Sequence, residues 1–462
     1  MNEIRASRGR GSSAVDRLNR NAPGAVFVLL TVAVILRGVL IAFSPTPFGY
    51  VWDFYYEGVR HLARSGHLPT AADCWQCYHP PVFYLLGWPV YALGRWIGSD
   101  AAGTDINGLR WLAALATVSA GVTIGYGYRL LRLFGCRGAS LVTGFALLVA
   151  FPCLFISSYG AEADVVLTAV LSAFVYYLSR DFMAAPSAVA ALRLGTLAGI
   201  AAATKYSGLV ALVSGCLVFG LRAIAGDRRM RVLRHAAIMI VTCCVVGGWK
   251  YVENYRQYGT PLYANGSAVQ GFTIGGRPDF RHQYEFTTLR MAELMRLVSP
   301  RAAKGPLTDL PVYRSVPTTL HALAWSDMTF FSEPTRHGDP GHPYPRKRIA
   351  VTLTRAVLVL GFVPEVLAAV GLAVTIRRRI FWPLAVMCLV SAGAYGWWFT
   401  SQQQWGLKTK YLLFLLPAFV VYVVTGLAWV WRHARPAGLA AGTLVGCLVV
   451  LAHFYLLAFA LG

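Results

Sequence analysis

Long runs of apolar residues, broken by short polar and arginine-rich interruptions, recur along nearly the whole chain. A helix needs about 20 apolar residues to cross roughly 30 Å of hydrocarbon at about 1.5 Å per residue. Eleven stretches meet or approach that length: residues 25–43, 107–128, 139–157, 163–179, 190–204, 207–223, 236–250, 356–376, 380–399, 411–430 and 438–460. The pattern predicts an all-α polytopic membrane protein of about eleven transmembrane helices. The first stretch reads as a retained anchor, because its apolar run is too long for a signal peptide and no small-x-small site precedes Ser44, Pro45 and Pro47. No internal repeat stands out, which removes the inverted-repeat signature of many secondary transporters.

Basic residues in short loops mark the cytoplasmic side. They lie in the N-terminal tail (Arg5, Arg8, Arg10, Arg17, Arg20), at Arg129, Arg132 and Arg137, over Arg222 to Arg234, at Arg377 to Arg379, and at Arg432 and Arg435. This places the N-terminus inside and segments 44–106, 158–162, 251–350 and 400–410 outside. Residues 81–98 (PVFYLLGWPVYALGRWIG) would break that parity if they crossed. The stretch is short, holds Pro89 and Arg95, and is rich in Tyr and Trp, so it reads as a helix in the outer interface. The C-terminus then lies outside; a twelve-span arrangement is the alternative. Three regions follow: an N-terminal transmembrane module over 1–250 with its first outer loop at 44–106, a large extracytoplasmic loop over 251–350, and C-terminal helices over 351–462.

Composition sharpens this picture. Of 462 residues 56% are apolar and 13% charged, where a soluble domain carries about 25% charged residues. The formal charge of +22 would suggest nucleic acid in a soluble protein. Here it is placed to fix membrane topology, and no nucleic-acid partner is expected. Disorder, collagen and a disulfide-rich mini-protein do not fit 13% aromatics and 9 Cys.

With only 20 acidic residues, their positions carry information, since a carboxylate near lipid is costly unless paired or functional. Asp53 and Glu57 lie just after the first span, four apart and so on one face of a short helix. Glu162 and Asp164 open the fourth span from the same outer side. Helix capping is the plain reading of the second pair, and an exposed or capping carboxylate that of Asp53. Aromatic neighbours Trp52, Phe54, Tyr55 and Tyr56 favour a partly buried site. Glu365, beside Pro364, reads as a kink-associated polar group paired inside the bundle.

Cations gather on the same side. His79 precedes a Pro-Pro step, Lys205 ends the fifth span, and Lys408, Lys410 and Tyr411 lie at the start of the tenth. Singly, each lysine is best read as snorkelling to headgroups; together they suit charge-assisted binding of a lipid phosphate. Cys74 and Cys77 form the one outer Cys pair, and a local disulfide before His79 and a merely packed pair both remain open. His337 and His342 read as loop residues, and Asn265-Gly-Ser267 matches a glycosylation sequon. The sequence requires no cofactor, and a divalent metal stays open.

Several of these segments, VWDFYYEGVRHLARSGHLP, YHPPVFYLL, GIAAATKYSGLVAL, NYRQYGTPLY and KYLLFLLP, together resemble the GT-C superfamily of membrane glycosyltransferases. The likeness is greatest to bacterial members related to protein O-mannosyltransferases and to the enzymes that add aminoarabinose to lipid A. The resemblance implies a GT-C-type bundle, a polyprenyl-phosphate-linked sugar donor, reaction on the extracytoplasmic face, and an acidic catalytic residue in the first outer loop, the position of Asp53. This chain has His79 where the aminoarabinose enzymes typically have Lys, and Phe54 where the mannosyltransferases have a second acid.

A phosphate leaving group needs positive charge more than a general acid, which His79, Lys205 and Lys410 would supply. Asp53 would take the acceptor's proton as it attacks from the opposite face, with inversion, and Glu162 or Asp164 would position it. The acceptor class stays open between glycan, lipid and protein, and the setting expected is a bacterial inner membrane. The rival readings are a transporter or lipid flippase, and a glycan polymerase or ligase.

Overall fold

The computed structural model describes residues 12–43, 55–74, 76–98, 105–158, 160–184, 187–226, 228–263, 284–298, 314–326, 348–401 and 409–460. In chain order the helices are α1 (Ser12–Phe43), α2 (Tyr55–Ser65), α3 (Val82–Ile97), α4 (Ile106–Leu133), α5 (Gly138–Ala150), α6 (Pro152–Ser157), α7 (Ala163–Met183), α8 (Ala188–Thr204), α9 (Leu209–Ile224), α10 (Arg229–Gly247), α11 (Trp249–Tyr258), α12 (Met291–Leu297), α13 (Val316–Trp325), α14 (Arg348–Thr375), α15 (Trp382–Ser401), α16 (Leu416–His433) and α17 (Arg435–Ala460). Short 3-10 turns lie at Tyr206–Gly208, Arg379–Phe381 and Thr409–Leu415. Among the described residues the sole strand-like pairing is a bridge between Glu285 and Ser315.

Nine helical stretches among the described residues, α1, α4, α7, α9, α10 and α14 to α17, are long and apolar enough to cross a membrane. The chain is therefore a multi-pass membrane protein. The shorter apolar helices α5 and α8, of 13 and 17 residues, fall at two more of the eleven apolar stretches.

One expected helix is divided. The apolar run 139–157 folds as α5 and α6, with Phe151 extended between them (φ −63°, ψ 114°). Pro152 has no amide hydrogen and its ring crowds the preceding residue, which is thereby driven out of helical conformation. The break lets the chain turn toward Glu162.

Close helix crossings rest on glycine. A Cβ on Gly371 of α14 would strike the Tyr422 carbonyl of α16, and one on Gly426 would strike the Leu367 carbonyl. Backbone contact of this kind is how helices associate where lipid supplies no hydrophobic drive.

α3 is apolar on two sides. Phe83, Tyr84, Gly87, Tyr91 and Gly94 are buried, in a cluster with Tyr55, Val59 and Leu62 of α2 and Leu109 and Leu112 of α4. Leu85, Leu86, Trp88, Leu93, Trp96 and Ile97 are exposed. That surface suits a helix lying in a leaflet interface.

Within the long loop, α13 docks on the middle of α14. His321 Nδ1 lies 2.7 Å from Glu365 Oε1, and Trp325 Nε1 donates to the same oxygen at 2.8 Å. The His321 ring stacks on Phe362 with centroids 4.0 Å apart. Glu365 thus finds its partners on the loop rather than on another membrane helix.

Candidate functional site: paired carboxylates and lysines at one end of the bundle

The starts of α2, α7 and the Thr409–Leu415 turn and the end of α8 meet around two buried ion pairs. Glu162 precedes α7 in extended conformation (φ −117°, ψ 127°) and its side chain makes no capping bond. Its Oε1 instead accepts from Lys410 Nζ at 2.9 Å. Two residues further along, Asp164, 1% exposed, accepts from Lys205 Nζ at 2.7 Å. Lys205 ends α8 in extended conformation (φ −160°, ψ 151°). That geometry turns its ammonium over the Tyr411 ring, 4.2 Å from the centroid, and toward Tyr55 at 5.3 Å.

Desolvation explains the pairing. An isolated buried charge costs several kcal/mol, so neither lysine snorkels away and neither acid faces water.

His79 approaches from the segment between α2 and α3. Cys74 and Cys77 are joined by a disulfide, with Cα atoms 5.1 Å apart. The turn it closes is held by Gln76, whose carbonyl accepts from the His79 amide at 3.1 Å and from Tyr84 Oη at 2.5 Å. His79 is buried, its Nε2 3.5 Å from Tyr55 Oη, which is itself 3.5 Å from Asp164 Oδ2. The rings of Tyr78, Tyr55 and Tyr206 surround the imidazole at centroid distances of 4.1, 5.5 and 5.8 Å.

Of the residues expected at the site, Glu162, Asp164, His79, Lys205, Lys410 and Tyr411 come together. Asp53 and Lys408, like Asn265, His337 and His342, lie outside the described residues. Among the described residues Glu57 makes no hydrogen bond or ion pair with this cluster. It is half-buried on α2; burial raises its carboxyl above the usual range, and Arg60 partly offsets the rise. Among the described residues no three His, Cys, Asp or Glu side chains are grouped to hold a metal ion.

Three contributors were not read from the sequence. Tyr206 Oη donates to the Tyr78 carbonyl at 2.9 Å and accepts from Asn254 Nδ2 at 2.8 Å, tying α11 at the head of the long loop to the His79 turn. Arg37 of α1 is buried: its Nε donates to Ser158 Oγ at 2.9 Å and its guanidinium lies 4.4 Å from the Phe155 ring. It thereby anchors the end of α6, four residues before Glu162. The available signals were Tyr206 beside Lys205, Asn254 within NYRQYGTPLY, and an arginine inside an apolar span.

The helices, nine of them among the described residues long and apolar enough to cross a membrane, define the class: a polytopic, helical membrane protein. No family model matches the chain, and no curated protein is similar to it in sequence. The oligosaccharyltransferase of Archaeoglobus fulgidus, solved with zinc and sulfate, shares the fold with a TM-score of 0.53 at 14% identity, over 94% of this chain and 53% of that one. The archaeal oligosaccharyltransferase AglB from the same organism, solved with an inhibitory peptide and a dolichol-phosphate, gives 0.51 at 15% identity, over 94% and 56%. This chain thus spans about half the length of those two proteins. ArnT from Cupriavidus metallidurans, bound to undecaprenyl phosphate, aligns over 90% of this chain and 80% of its own at 19% identity, with a TM-score of 0.39, too low to define a fold.

Proposed function

We propose that this protein transfers a sugar from a polyprenyl-phosphate-linked donor to an acceptor hydroxyl on the extracytoplasmic face of a bacterial inner membrane, with the N-terminus in the cytoplasm. The observation that carries the proposal is the burial of two lysine–carboxylate pairs beside His79 and a ring of tyrosines at one end of the bundle. Support comes also from the shared fold, since the archaeal enzyme of that fold was solved with a dolichol-phosphate.

Before the donor arrives, Asp164 and Glu162 hold the ammonium groups of Lys205 and Lys410 charged despite burial. The donor phosphate then binds at the ammonium groups of the two lysines, with His79 as a third contact. As the anomeric carbon–oxygen bond breaks, its electron pair goes to the phosphate oxygen, where positive charge stabilises it without a proton transfer. The acceptor oxygen attacks from the opposite face and its proton passes to Asp53, giving inversion. Glu57, Lys408 and Tyr411 complete substrate binding. Region 1–250 supplies Asp53, Glu162, Asp164, His79 and Lys205, 251–350 selects the glycan, lipid or protein acceptor, and 351–462 completes the bundle and adds Lys408, Lys410 and Tyr411.

The test incubates the purified full-length protein with polyprenyl-phosphate sugars and extracted envelope acceptors. Release of free polyprenyl phosphate, abolished in Asp53→Asn with folding intact, is the expected result. Lipid flipping or transport that persists in Asp53→Asn, with no such release, would sink the proposal.

A further inference from the structure

The opposite end of α7 carries a second charged cluster that the proposed transfer does not use. Asp164 and Asp181 are 17 residues apart on this helix, which separates them by about 26 Å. Asp181 binds Arg180 Nε at 3.1 Å and Arg193 Nη2 at 2.5 Å. Arg222 donates to the carbonyls of Asp181, Phe182 and Ala184 at 3.1, 3.1 and 2.9 Å. The rings of Tyr126, Tyr176 and Tyr177 pack together at centroid distances of 5.1 to 5.9 Å. Arg193 and Arg180 lie over Tyr177 at 4.1 and 4.8 Å, and Arg129 over Tyr126 at 5.3 Å.

Two guanidinium groups thus bind the Asp181 carboxylate, a third binds the backbone carbonyls beside it, and a fourth lies on the adjoining tyrosine cluster. Arginines at such a depth commonly snorkel, each swinging freely to the headgroups. These are fixed instead, Arg180 and Arg193 between Asp181 and a ring face and Arg222 by three carbonyls, while the side chains of Arg180 and Arg193 keep 39% and 29% of their surface exposed. Arg193 Nε is shut off from solvent and has no acceptor among the described residues. Beside the cluster, Met183, Val189, Leu192 and Ile224 are exposed apolar side chains. A small cleft lined by Leu178, Asp181, Phe182, Leu194, Phe219 and Arg222 among others adjoins it.

We infer that this end of the bundle is a binding site for an anionic phospholipid of the leaflet that the positive-inside rule assigns to the cytoplasm. The lipid phosphate is held by Arg129, Arg180 and Arg193, and its acyl chains lie along Val189 and Leu192. Basic recesses between membrane helices on that side are suited to acidic headgroups. The surplus of positive charge selects a lipid of net negative charge over a zwitterionic one, whose ammonium it repels.

The test measures lipid binding to the purified full-length protein by native mass spectrometry, with phosphatidylglycerol and phosphatidylcholine as probes. Phosphatidylglycerol is expected to bind at least tenfold more tightly. Arg129→Gln, which alters an exposed side chain on a ring face, weakens that binding about fivefold. Arg432→Gln, at the exposed end of α16, leaves it unchanged. Equal binding of the two lipids, equal loss in the two variants, or displacement of phosphatidylglycerol by millimolar inorganic phosphate would each overturn the inference. The readout does not involve sugar transfer, so it fails or succeeds independently of the proposed function.

Discussion

Removing one member of the Asp164–Lys205 pair exposes how much the site depends on charge balance. At 2.7 Å and an effective dielectric of 20, the coulombic attraction is about 6 kcal/mol. Most of that offsets desolvation, because Asp164 is 1% and Lys205 7% exposed. Deleting either charge strands the other, and Asp164→Asn or Lys205→Met should each cost about 3–5 kcal/mol. The double variant Asp164→Asn/Lys205→Met removes both charges together and should lose only about 1–2 kcal/mol, since neutral replacement of a buried pair is often well tolerated. Unfolding of the three variants in mixed detergent measures the cycle, and release of polyprenyl phosphate measures activity. The double variant should fold yet not turn over donor. Single losses under about 1 kcal/mol, or a double loss equal to their sum, would refute the buried-pair reasoning.

Other outcomes follow from the surroundings of the site. Opening the four-residue Cys74–Cys77 turn with Cys77→Ser should cost about 2 kcal/mol by loop-closure entropy and slow donor turnover through the loosened His79 turn, as read by calorimetry and kinetics. Glu365→Gln weakens the bonds to His321 and Trp325 at a cost of about 1.5–3 kcal/mol; hydrogen exchange should show α13 opening before the membrane helices. Arg290 holds the Glu285 carboxyl below its usual range. Its stabilisation is therefore present above the unfolded value near 4.3 and lost as pH falls through the lower folded value. The hydrogen-exchange protection factor at Val316, whose amide donates to the Glu285 carbonyl, should fall on acidification, and Glu285→Gln should remove that dependence.

Apolar length made the membrane helices legible, because the hydrocarbon thickness fixes how many residues must be apolar. The division at Pro152 was within reach, since proline acts on its own neighbours, but a uniform apolar run over 139–157 hid it. Glu162, Asp164, Lys205 and Lys410 stood out as charges at span ends, where a charge is costly. Which acid meets which lysine was not legible: Asp164 and Lys205 are 41 residues apart and Glu162 and Lys410 are 248 apart, and helix packing alone decides the pairing. The capping reading of Glu162 gave way for the same reason, its side chain bonding Lys410 rather than an amide of its own helix. Tyr55 and Tyr206 are indistinguishable in sequence from the aromatic residues that line any membrane interface.

The central claim is that the buried lysine–carboxylate cluster at the outer end holds the donor phosphate. A cryo-EM structure of the full-length protein with polyprenyl phosphate tests it most directly. The account predicts phosphate oxygens about 2.7–3.2 Å from Lys205 Nζ, Lys410 Nζ or the His79 ring. Phosphate density remote from all three, or confined to the arginine-rich end of α7, would contradict it.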